Sequence, residues 1–536
     1  MAFQYLTQLF TGGMNQDLDA AAIDLTMQDQ SVSIVATSQN MVFERGLAMT
    51  RLGLSALPGP PSSLPSNANL RAVRWLPVGP RSLISTIKQR GAFAITDAPK
   101  LYSLQGDQSA GNVMTPVEVT GAGFTQSSGY YCDNTVANGV VLIAGNQSGL
   151  IRWDPTGTTY TIVSDSPYQY VCGHLSRAVA AFDLSSSSPG RAQTVAWSAA
   201  GDEAVWSGST SGAGLTVLSD ATDSITGLKV AKGTVVVARA YGFHLGIPTG
   251  QFPAVYDWRK VDDISVGCMH PASLVVYKNT LFFMSECGIH TFDLVDVEDI
   301  GEGIYQEINT LIRQYGLIAR GFISTGYKPD FQPSYNIILD SSQSLTGTPE
   351  GLVPHFMFNI REKKWSRHFY VNTSHATAWT PLLLGAEYLP SGTPVDPPAI
   401  PFLAVYQRVQ GSVPTLLQWN VNQTLDTAAS FTTGKLTLQD PSADAQLERF
   451  MLIYNCPASA GITFTATVTY ILNGVAGSTS VDITTYASGG WDRRWFNLRV
   501  SGNMDSVKIT FPIGTPSPVF VKALILEYTV TGRVRT

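Results

Sequence analysis

From about Arg71 to about Gln423 the sequence repeats one pattern of short apolar segments at intervals of roughly 40 to 60 residues. Each repeat contains an apolar strand, a turn, a second apolar strand, and a Gly followed by a short strand that ends in Trp, Phe or Tyr. Short strands between clusters of Gly, Asn, Asp and Ser predict antiparallel β-structure. The pattern occurs in residues 83–96, 139–154, 178–198, 234–246, 273–293, 335–369 and 401–420.

This interval predicts a β-propeller, because one blade is a four-stranded sheet of about 40 to 50 residues with its turns. An isolated blade cannot bury both of its faces, so several blades must pack around an axis. Dividing about 350 residues by about 50 predicts about seven blades, with six or eight as the neighbouring alternatives. A series of β-sandwiches with similar turn spacing is the competing interpretation. In either case the fold class is all-β.

The two ends of the chain differ from this central region of residues 71–423. Residues 1–70 are predicted to be an extended arm and a linker, because the first 44 residues lack Lys and Arg and residues 57–69 are rich in Pro and Ser. We expect this acidic arm to contact something outside its own fold. Residues 424–536 are predicted to be a linker, 424–431, and a small antiparallel sandwich, most like a jelly roll. Its predicted strands are 464–472, 477–484, 493–500, 506–511 and 521–530.

One helix interrupts the β pattern. The segment IGEGIYQEINTLIRQYG carries an apolar stripe with helical spacing that ends at Gly316, and we expect it to pack on a blade edge. The stripe consists of Ile304, Ile308, Leu311, Ile312 and Tyr315.

Composition excludes several classes of protein. Hydrophobic residues make up 44% of the chain and charged residues only 14%, which excludes general disorder. The net charge of −6 argues against a basic surface that grips nucleic acid or an anionic membrane. No apolar run approaches the roughly 18 residues of a membrane-spanning helix, and the start MAFQYLTQLFTGG lacks the features of a secretory signal. We therefore expect synthesis in the cytoplasm and no membrane insertion.

The sequence contains no GxSxG, HExxH, P-loop or GxGxxG motif, so it predicts no enzyme, no catalytic residue and no cofactor. Three Cys–His pairs each supply only two of the four ligands that zinc needs, and structural roles are favoured over a metal site. The odd, scattered cysteines predict reduced, mostly buried thiols. The pairs are Cys172–His174, Cys268–His270 and Cys287–His290, and the remaining cysteines and histidines are Cys132, Cys456, His244, His355, His368 and His375.

Two further groups of residues could bear chemistry. The densest acidic run does not keep the register of a calcium loop, so a solvated loop and helix N-terminus are predicted. A glycosidase needs two carboxylates across a cleft, and the sequence leaves this alternative open. Trp491 and Trp495 could stack on sugar, but core positions are favoured because both lie on one face of an alternating strand. The acidic run contains Asp293, Asp296, Glu298, Asp299, Glu302 and Glu307.

Several short motifs occur in an order that resembles one family. They are Gly12, Gly13 and Asn15; Asn40; Arg45–Gly46; Arg51 and Gly53; residues 275–308; residues 357–369, MFNIREKKWSRHF; and residues 436–456, 491–500 and 521–530. In this order they resemble the tail nozzle (tail tubular or stabilisation) β-propeller proteins of short-tailed bacteriophages.

The resemblance implies a structural virion protein that forms a homohexameric ring below the head-to-tail adaptor, with fibre or needle proteins as further partners. Duplex DNA would pass through the lumen without specific binding, because six copies carry about −36 charges and repel it. The N-terminal arm would contact the adaptor or a neighbouring subunit, ordered only on assembly, and the Pro-rich residues 391–401 would form a tip or gate loop. The alternatives are a glycan-binding or glycan-cleaving tail propeller, and a minor tail or baseplate propeller of a long-tailed phage.

Overall fold

The structure is a computed structural model, and the following account is restricted to the residues that it describes. Asn15, Cys132, His375, the linker 57–69 and residues 391–399 of the predicted tip loop lie outside them. The described residues are 4–14, 31–51, 53–56, 70–76, 91–96, 100–107, 113–124, 133–155, 157–163, 167–185, 190–207, 212–220, 222–251, 254–262, 264–324, 332–340, 352–371, 383–388, 400–405, 417–420, 425, 428–433, 443–456, 462–472, 475–484, 491–515 and 518–533.

Strands make up almost all of the regular structure, so the all-β prediction is confirmed. The first strands of the chain are β1 (Gln4–Met14), β2 (Ser31–Gln39), β3 (Met41–Glu44), β4 (Leu47–Thr50) and β5 (Gly53–Ala56). The described residues then form six four-stranded antiparallel sheets in chain order, which we number sheet 1 to sheet 6. In each sheet every strand pairs with the strand that follows it in sequence.

The strands of these sheets have the following bounds. Sheet 1 contains β6 (Leu70–Leu76), β7 (Gly91–Thr96), β8 (Leu101–Asp107) and β9 (Val113–Val119), and sheet 2 contains β10 (Asn134–Ala137), β11 (Val140–Ile143), β12 (Leu150–Trp153) and β13 (Tyr160–Val163). Sheet 3 contains β14 (Tyr168–His174), β15 (Arg177–Asp183), β16 (Thr194–Trp197) and β17 (Gly214–Val217), and sheet 4 contains β18 (Ile225–Ala231), β19 (Thr234–Arg239), β20 (Phe243–Pro248) and β21 (Tyr256–Lys260). Sheet 5 contains β22 (Val275–Tyr277), β23 (Thr280–Met284), β24 (Ile289–Phe292) and β25 (Val297–Asp299), and sheet 6 contains β26 (Ile318–Ser324), β27 (Ser334–Asp340), β28 (Leu352–Asn359) and β29 (Lys364–Val371).

The inner strands of the sheets explain the low charge of the chain. All four residues of β11, VVLI, and of β16, TVAW, are buried, so these strands are covered on both faces. Strands buried on both faces are continuous apolar runs without alternating polar residues.

Four short strands connect the segment before sheet 1 with the segment after sheet 6. β30 (Leu383–Tyr388) pairs with β31 (Ile400–Val405), and β32 (Leu417–Asn420) pairs with β5 from near the N-terminus. β31 lies beside β32, and β30 lies beside both β26 and β6. A strand that precedes all six four-stranded sheets in sequence therefore pairs with a strand that follows them.

A ten-stranded sheet combines the two ends of the chain. Its C-terminal strands are β33 (Ala429–Thr433), β34 (Ala443–Asn455), β35 (Thr463–Leu472), β36 (Val475–Thr484), β37 (Trp491–Phe511) and β38 (Phe520–Arg533). The strand order is β3-β4-β38-β1-β2-β33-β37-β35-β36, and β34 pairs with both β37 and β38. β1 is antiparallel to β38 and parallel to β2, so it lies inside the sheet.

The N-terminal strands correct one prediction. The sequence predicted an arm in residues 1–70 that becomes ordered only on assembly, but β1 to β4 pair within their own chain. Phe10, Val35 and Phe43 have no exposed surface, and the ring of Phe10 packs edge-on against Phe431 with centroids 5.0 Å apart. The described strands are ordered because their apolar side chains fill the core of the ten-stranded sheet.

The C-terminal strands correct two more predictions. The predicted linker 424–431 contains the buried Leu425 and the beginning of β33. The predicted strands 493–500 and 506–511 form one strand, β37, and β34 was not among the predicted strands. The domain limits 1–70, 71–423 and 424–536 stay a prediction, although sheet membership crosses both boundaries. The predicted C-terminal strands therefore belong to a sheet that strands from both chain ends build.

The helix prediction is confirmed by α1 (Tyr305–Tyr315), which ends at Gly316 with φ of 63°. Ile304 and Ile308 are fully buried in the core shared by sheets 5 and 6 and the ten-stranded sheet. Leu311, Ile312 and Tyr315 pack against that core, so the helix lies between sheets. No helix within the described ranges has the length and apolar character needed to cross a membrane.

Candidate interaction surface

The first half of β37 exposes large aromatic side chains. From Trp491 to Val500 exposure alternates along the strand, and Trp491 and Trp495 are 50% and 36% exposed. The prediction that both tryptophans lie in the core is therefore wrong. Alternation showed correctly that they share a face, but it does not determine which face points inward.

Trp495 is held in a fixed position by Arg449 on the neighbouring strand β34. The Arg449 guanidinium carbon lies 4.5 Å from the centroid of the Trp495 ring. Arg449 Nε and Nη2 donate to the two carboxylate oxygens of Glu527 at 2.6 and 3.0 Å. Glu527 is 1% exposed, so its carboxylate is screened from solvent. Such a pair restricts both the guanidinium and the indole packed on it.

Apolar and basic side chains continue the surface on both sides of Trp495. Met451 pairs directly with both Trp495 and Ile525, which places a row of half-buried apolar residues across three strands. Arg493 and Arg499 are exposed on the same strand as Trp495. We call Trp491, Arg493, Trp495 and Arg499, with the row Met451–Ile525, the aromatic face. It combines exposed indole rings with positive charge in a chain whose net charge is −6.

The acidic run predicted as a solvated loop begins in the turn between β24 and β25, residues 293–296, which we call the acidic turn, and continues through β25. Asp293 Oδ1 accepts hydrogen bonds from the backbone N–H of Val295 at 3.0 Å and of Asp296 at 2.9 Å. Hydrogen bonds from this backbone lower the pKa of the Asp293 carboxyl. Leu294 has a positive φ of 78°, and Val295 at the tip is 67% exposed.

The remaining acidic residues confirm the predicted solvated location. Asp296, Glu298, Asp299 and Glu302 are exposed, whereas Glu307 in α1 is half-buried and forms an ion pair with Arg367 of β29. Lysines accompany these acids, because Lys363 forms an ion pair with Glu298 and Lys232 Nζ donates to the Asp293 carbonyl oxygen at 2.6 Å.

Two of the Cys–His pairs have structural surroundings. His174 Nδ1 lies 3.0 Å from the Tyr256 hydroxyl, and its Nε2 lies 3.0 Å from the Gly233 carbonyl oxygen. Cys172 is buried beside it, and burial raises the pKa of the thiol. Cys268 is also buried and its Sγ donates to the His270 carbonyl oxygen at 3.3 Å. These contacts occupy both ring nitrogens of His174 and the thiol of Cys268.

The third pair is more open. Cys287 is exposed, with Sγ 4.0 Å from His290 Nε2, while Ser285 Oγ lies closer to that nitrogen, at 2.9 Å. Burial lowers the pKa of His290. In the described part of the chain, the pairs are not brought together into any group of three or more metal-ligating side chains. Cys456, which belongs to no pair, is buried.

His244 and the motif residue Asn40 each form hydrogen bonds with other segments of the chain. His244 Nε2 contacts Asp220 at 2.8 Å between sheets 3 and 4. Asn40 donates from Nδ2 to the Ala428 carbonyl oxygen at 2.7 Å, and its Oδ1 accepts from the backbone N–H of Phe369 at 2.7 Å. The same oxygen accepts from Arg51 Nε at 3.3 Å. Asn40 therefore links the N-terminal strands to β29 and to the start of β33.

The second N-terminal motif, Arg45–Gly46, forms the turn between β3 and β4, with φ of 54° and 72°. The backbone N–H of Arg45 donates to Glu362 Oε1 at 2.6 Å, in the turn between β28 and β29. This turn therefore adds a second link between the N-terminal strands and sheet 6.

Two buried histidines lie on β28 and β29 near Arg51. His355 Nε2 contacts Asn336 Oδ1 at 2.9 Å, and the rings of His355 and His368 are 5.2 Å apart. Neither ring nitrogen of His368 has a hydrogen-bond partner among the described residues. Burial, with a further contribution from the Arg51 charge, lowers the pKa of His355 to about 3. Burial and the neighbouring His355 and Arg51 also lower the pKa of His368.

No protein-family model and no curated protein matches the sequence. Among solved structures, the chain is similar to the computationally designed Ika8 protein, with 9% identity over 72% of this chain and 96% of that chain and a TM-score of 0.32. It is similar to a glycoside hydrolase family 43 arabinoxylan arabinofuranohydrolase from Bacillus subtilis, with 10% identity, coverage of 89% and 99%, and a TM-score of 0.23. It is also similar to the enzymatically active domain of tailspike protein 4 of Bacteriophage CBA120, with 11% identity over 28% of this chain and 18% of that chain and a TM-score of 0.13. With TM-scores below 0.5, these likenesses carry no argument about function.

Proposed function

We propose that this chain is a structural protein of a bacteriophage tail, whose copies form a ring, the nozzle, through which DNA leaves the virion. The single observation that carries this proposal is a series of small sheets that lie side by side. The strand that follows the series, β32, pairs with β5 from near the N-terminus. It supports a closed propeller of seven blades. Sheets 1 to 6 would be six of them, and β30, β31, β32 and β5 would form the seventh.

Contacts between first strands support the radial arrangement. β10 lies beside β14, β14 beside β18, β18 beside β22, and β22 beside β26, and this series continues through β30 to β6. The approach is so close at Gly321 on β26 that an added Cβ would lie 2.3 Å from the Ser273 carbonyl oxygen. At Gly227 on β18 an added Cβ would lie 2.5 Å from the Leu274 side chain. Glycine is required where a neighbouring backbone or side chain approaches this closely.

Hydrogen bonds link the turns that follow these first strands. Asn138 Nδ2 donates to the Ser176 carbonyl oxygen at 3.2 Å, which joins sheets 2 and 3. His174 and the Gly233 carbonyl oxygen join sheets 3 and 4 at 3.0 Å, and the Lys232 N–H donates to Asn279 Oδ1 at 3.0 Å between sheets 4 and 5. Sheets 2 to 5 are thus tied in series at this end, as expected for blades around an axis.

Pairing of β5 with β32 would close the ring of blades with one strand that precedes the central region and one strand from its end, which prevents the ring from opening at one blade. A closed propeller has only short edges, so neighbouring copies can pack through loops without strand-to-strand aggregation. The proposed partners are five further copies, the head-to-tail adaptor and fibre or needle proteins. The negative balance of the chain favours passage of DNA without adhesion.

The test is the oligomeric state of the purified full chain, alone and with its adaptor, by mass photometry and negative-stain imaging. A homohexamer of a 57.7 kDa chain has a mass of about 350 kDa and gives ring-shaped projections. Labelling of intact virions with antibody should place the protein around the tail axis. A chain that stays monomeric with its adaptor, or that lies elsewhere in the particle, contradicts the proposal.

A second candidate is a glycan-binding tail protein, and it is favoured by one observation, the exposed indole rings of Trp491 and Trp495. A glycan array with the wild-type chain and with the Trp491→Ala, Trp495→Ala double variant tests it. Binding that disappears in the variant supports this candidate, and a released-sugar assay shows whether cleavage accompanies binding. Location on a long tail would instead support the minor tail or baseplate alternative.

A further inference from the structure

We infer that Cys287 is a reactive thiol that forms a mixed disulfide with low-molecular-weight disulfides, with His290 as the base that accepts its proton. This inference is independent of the proposed ring. Cys287 is exposed in the turn between β23 and β24, and its Sγ lies 4.0 Å from Nε2 of His290, the second residue of β24. A cysteine thiol beside a histidine base is the arrangement of an activated sulfur nucleophile.

The turn holds the thiol and the imidazole in place. Ser285 Oγ accepts hydrogen bonds from the backbone N–H of Cys287 at 3.1 Å and of Gly288 at 2.9 Å. The same oxygen lies 3.4 Å from Cys287 Sγ and 2.9 Å from His290 Nε2, so the hydroxyl is within hydrogen-bond distance of both groups. His290 is 5% exposed, and its ring packs on Phe283 with centroids 5.6 Å apart. The base is therefore fixed inside the sheet while the cysteine is exposed.

The surroundings of His290 suit a base. Burial lowers the pKa of His290, so the ring is neutral at pH 7 and can accept a proton. Asp299 on β25 lies directly opposite His290 and acts in the other direction, since its carboxylate stabilises the imidazolium that forms. The other titratable groups near the pair are Glu286 in the turn, and Tyr305 and Arg313 of α1.

The chemical step exchanges one disulfide for another. The S–H bond of Cys287 breaks, and the proton passes through the Ser285 hydroxyl to His290 Nε2. The thiolate attacks one sulfur of the disulfide R–S–S–R and forms the bond Sγ–S–R, while the original S–S bond breaks and its electron pair leaves with the second sulfur. That leaving thiolate takes the proton from His290 and departs as R–SH. The small disulfide is itself the oxidant, so the step needs no further reactant.

The other described cysteines lack this combination of exposure and a base. Cys172, Cys268 and Cys456 are buried, and burial raises the pKa of the Cys172 and Cys268 thiols. Structural cysteines that are buried in this way are inert. We therefore expect the folded chain to react first at Cys287.

The test measures how fast the folded full-length chain reacts with DTNB, an aromatic disulfide that releases a coloured thiolate. The matched control is Ser148→Cys in a Cys287→Ser chain. Ser148 occupies the equivalent exposed turn of sheet 2, and the second residue of the strand that follows is Ile151 instead of a histidine. At pH 7 Cys287 should react at least about tenfold faster than the control thiol. Below pH 7 the control rate should fall about tenfold per pH unit with its thiolate fraction, whereas the Cys287 rate should fall less steeply because the proton stays on His290.

Two further measurements assign the roles of the two residues. His290→Phe keeps a ring against Phe283 but removes the base, so it should slow Cys287 about tenfold and restore the steep pH dependence. Oxidised glutathione should add one glutathione per wild-type chain, at Cys287 by peptide mass spectrometry, and none to the Cys287→Ser chain. Equal rates and equal pH profiles for Cys287 and the control thiol overturn the inference, and this comparison holds even if His290→Phe fails to fold. An equally fast reaction of the Cys287→Ser chain also overturns it, because another cysteine would then be the reactive one.

Discussion

Sheets 1 to 6 and the ten-stranded sheet are built from similar apolar segments but in opposite ways. In sheet 2, β11 pairs with β10 and β12, its immediate neighbours in sequence. In the ten-stranded sheet β1 pairs with β38, where Leu6 lies opposite Leu526. The first kind of sheet can form from one short stretch of chain, whereas the second requires both chain ends to meet. Stability of the ten-stranded sheet therefore depends on contacts that a change at the N-terminus can remove.

The largest expected effect follows from breaking that long-range pairing. Phe10→Ala removes a fully buried ring that contacts Phe431 of β33, and should cost about 3 to 5 kcal/mol. Hydrogen–deuterium exchange should become faster across β1, β33 and β38, while protection in sheets 2 to 4 is retained. Ile513→Ala is the control, because Ile513 is 66% exposed near the end of β37. Equal loss of protection in sheets 2 to 4 would show that the two regions unfold as one unit.

A second effect should appear when the pH falls, at the contact between β3 of the ten-stranded sheet and sheet 6. His355 and His368 have pKa values below their ordinary value of 6.5, lowered by burial and by Arg51. The unfolded chain therefore binds more protons below about pH 6.5, so stability is complete above that pH and decreases as the pH falls toward the folded-state pKa values. His355, with a pKa of about 3, contributes about 1 kcal/mol per pH unit in this window, and His368 acts in the same direction.

Hydrogen exchange in β3, β28 and β29, measured between pH 7.5 and 5.5 and corrected for intrinsic rates, tests this effect. His368→Phe should reduce the pH dependence and preserve the fold at neutral pH, since neither ring nitrogen of His368 has a hydrogen-bond partner to lose among the described residues. An unchanged pH dependence in this variant would mean that titratable groups other than His368 weaken the contact between β3 and sheet 6.

The same contrast explains what the sequence could predict. The turn Asn138–Gly139, with φ of 49° and 87°, is a local signal, and residues 139–154 were correctly assigned to a strand pair. No local signal indicates that β1 inserts beside β38, because pairing over such a separation depends on the assembled core. The same limit explains the error at Trp495, since alternation fixes the period of a strand and the core decides its orientation. Likewise the motifs include Asn40, but the three segments to which it hydrogen-bonds become neighbours only in the fold.

A smaller effect should follow from separating two neighbouring four-stranded sheets. Gly321→Ala places a Cβ 2.3 Å from the Ser273 carbonyl oxygen, so sheet 6 must move away from sheet 5, and we expect a cost of about 1 to 3 kcal/mol. Gly157→Ala is the matched control, because the nearest atom to its Cβ would lie at 3.6 Å. Urea denaturation of both variants measures the difference. Equal stability of the two variants would contradict close packing between sheets 5 and 6.

The smallest expected effect has the opposite sign and concerns a single turn. Leu175, between β14 and β15, has a φ of 47° and is 63% exposed, so it gains little from burial while its backbone is strained. Leu175→Asn should stabilise the hairpin by about 0.5 to 1 kcal/mol, because asparagine tolerates the left-handed conformation. Slower hydrogen exchange in β14 and β15 would measure the gain. Leu215→Asn is the control, since Leu215 is 65% exposed within the extended strand β17 and should gain nothing. If both variants gain stability equally, the cause is the loss of exposed apolar surface. If only Leu175→Asn gains stability, the cause is backbone strain in the turn between β14 and β15, within one sheet.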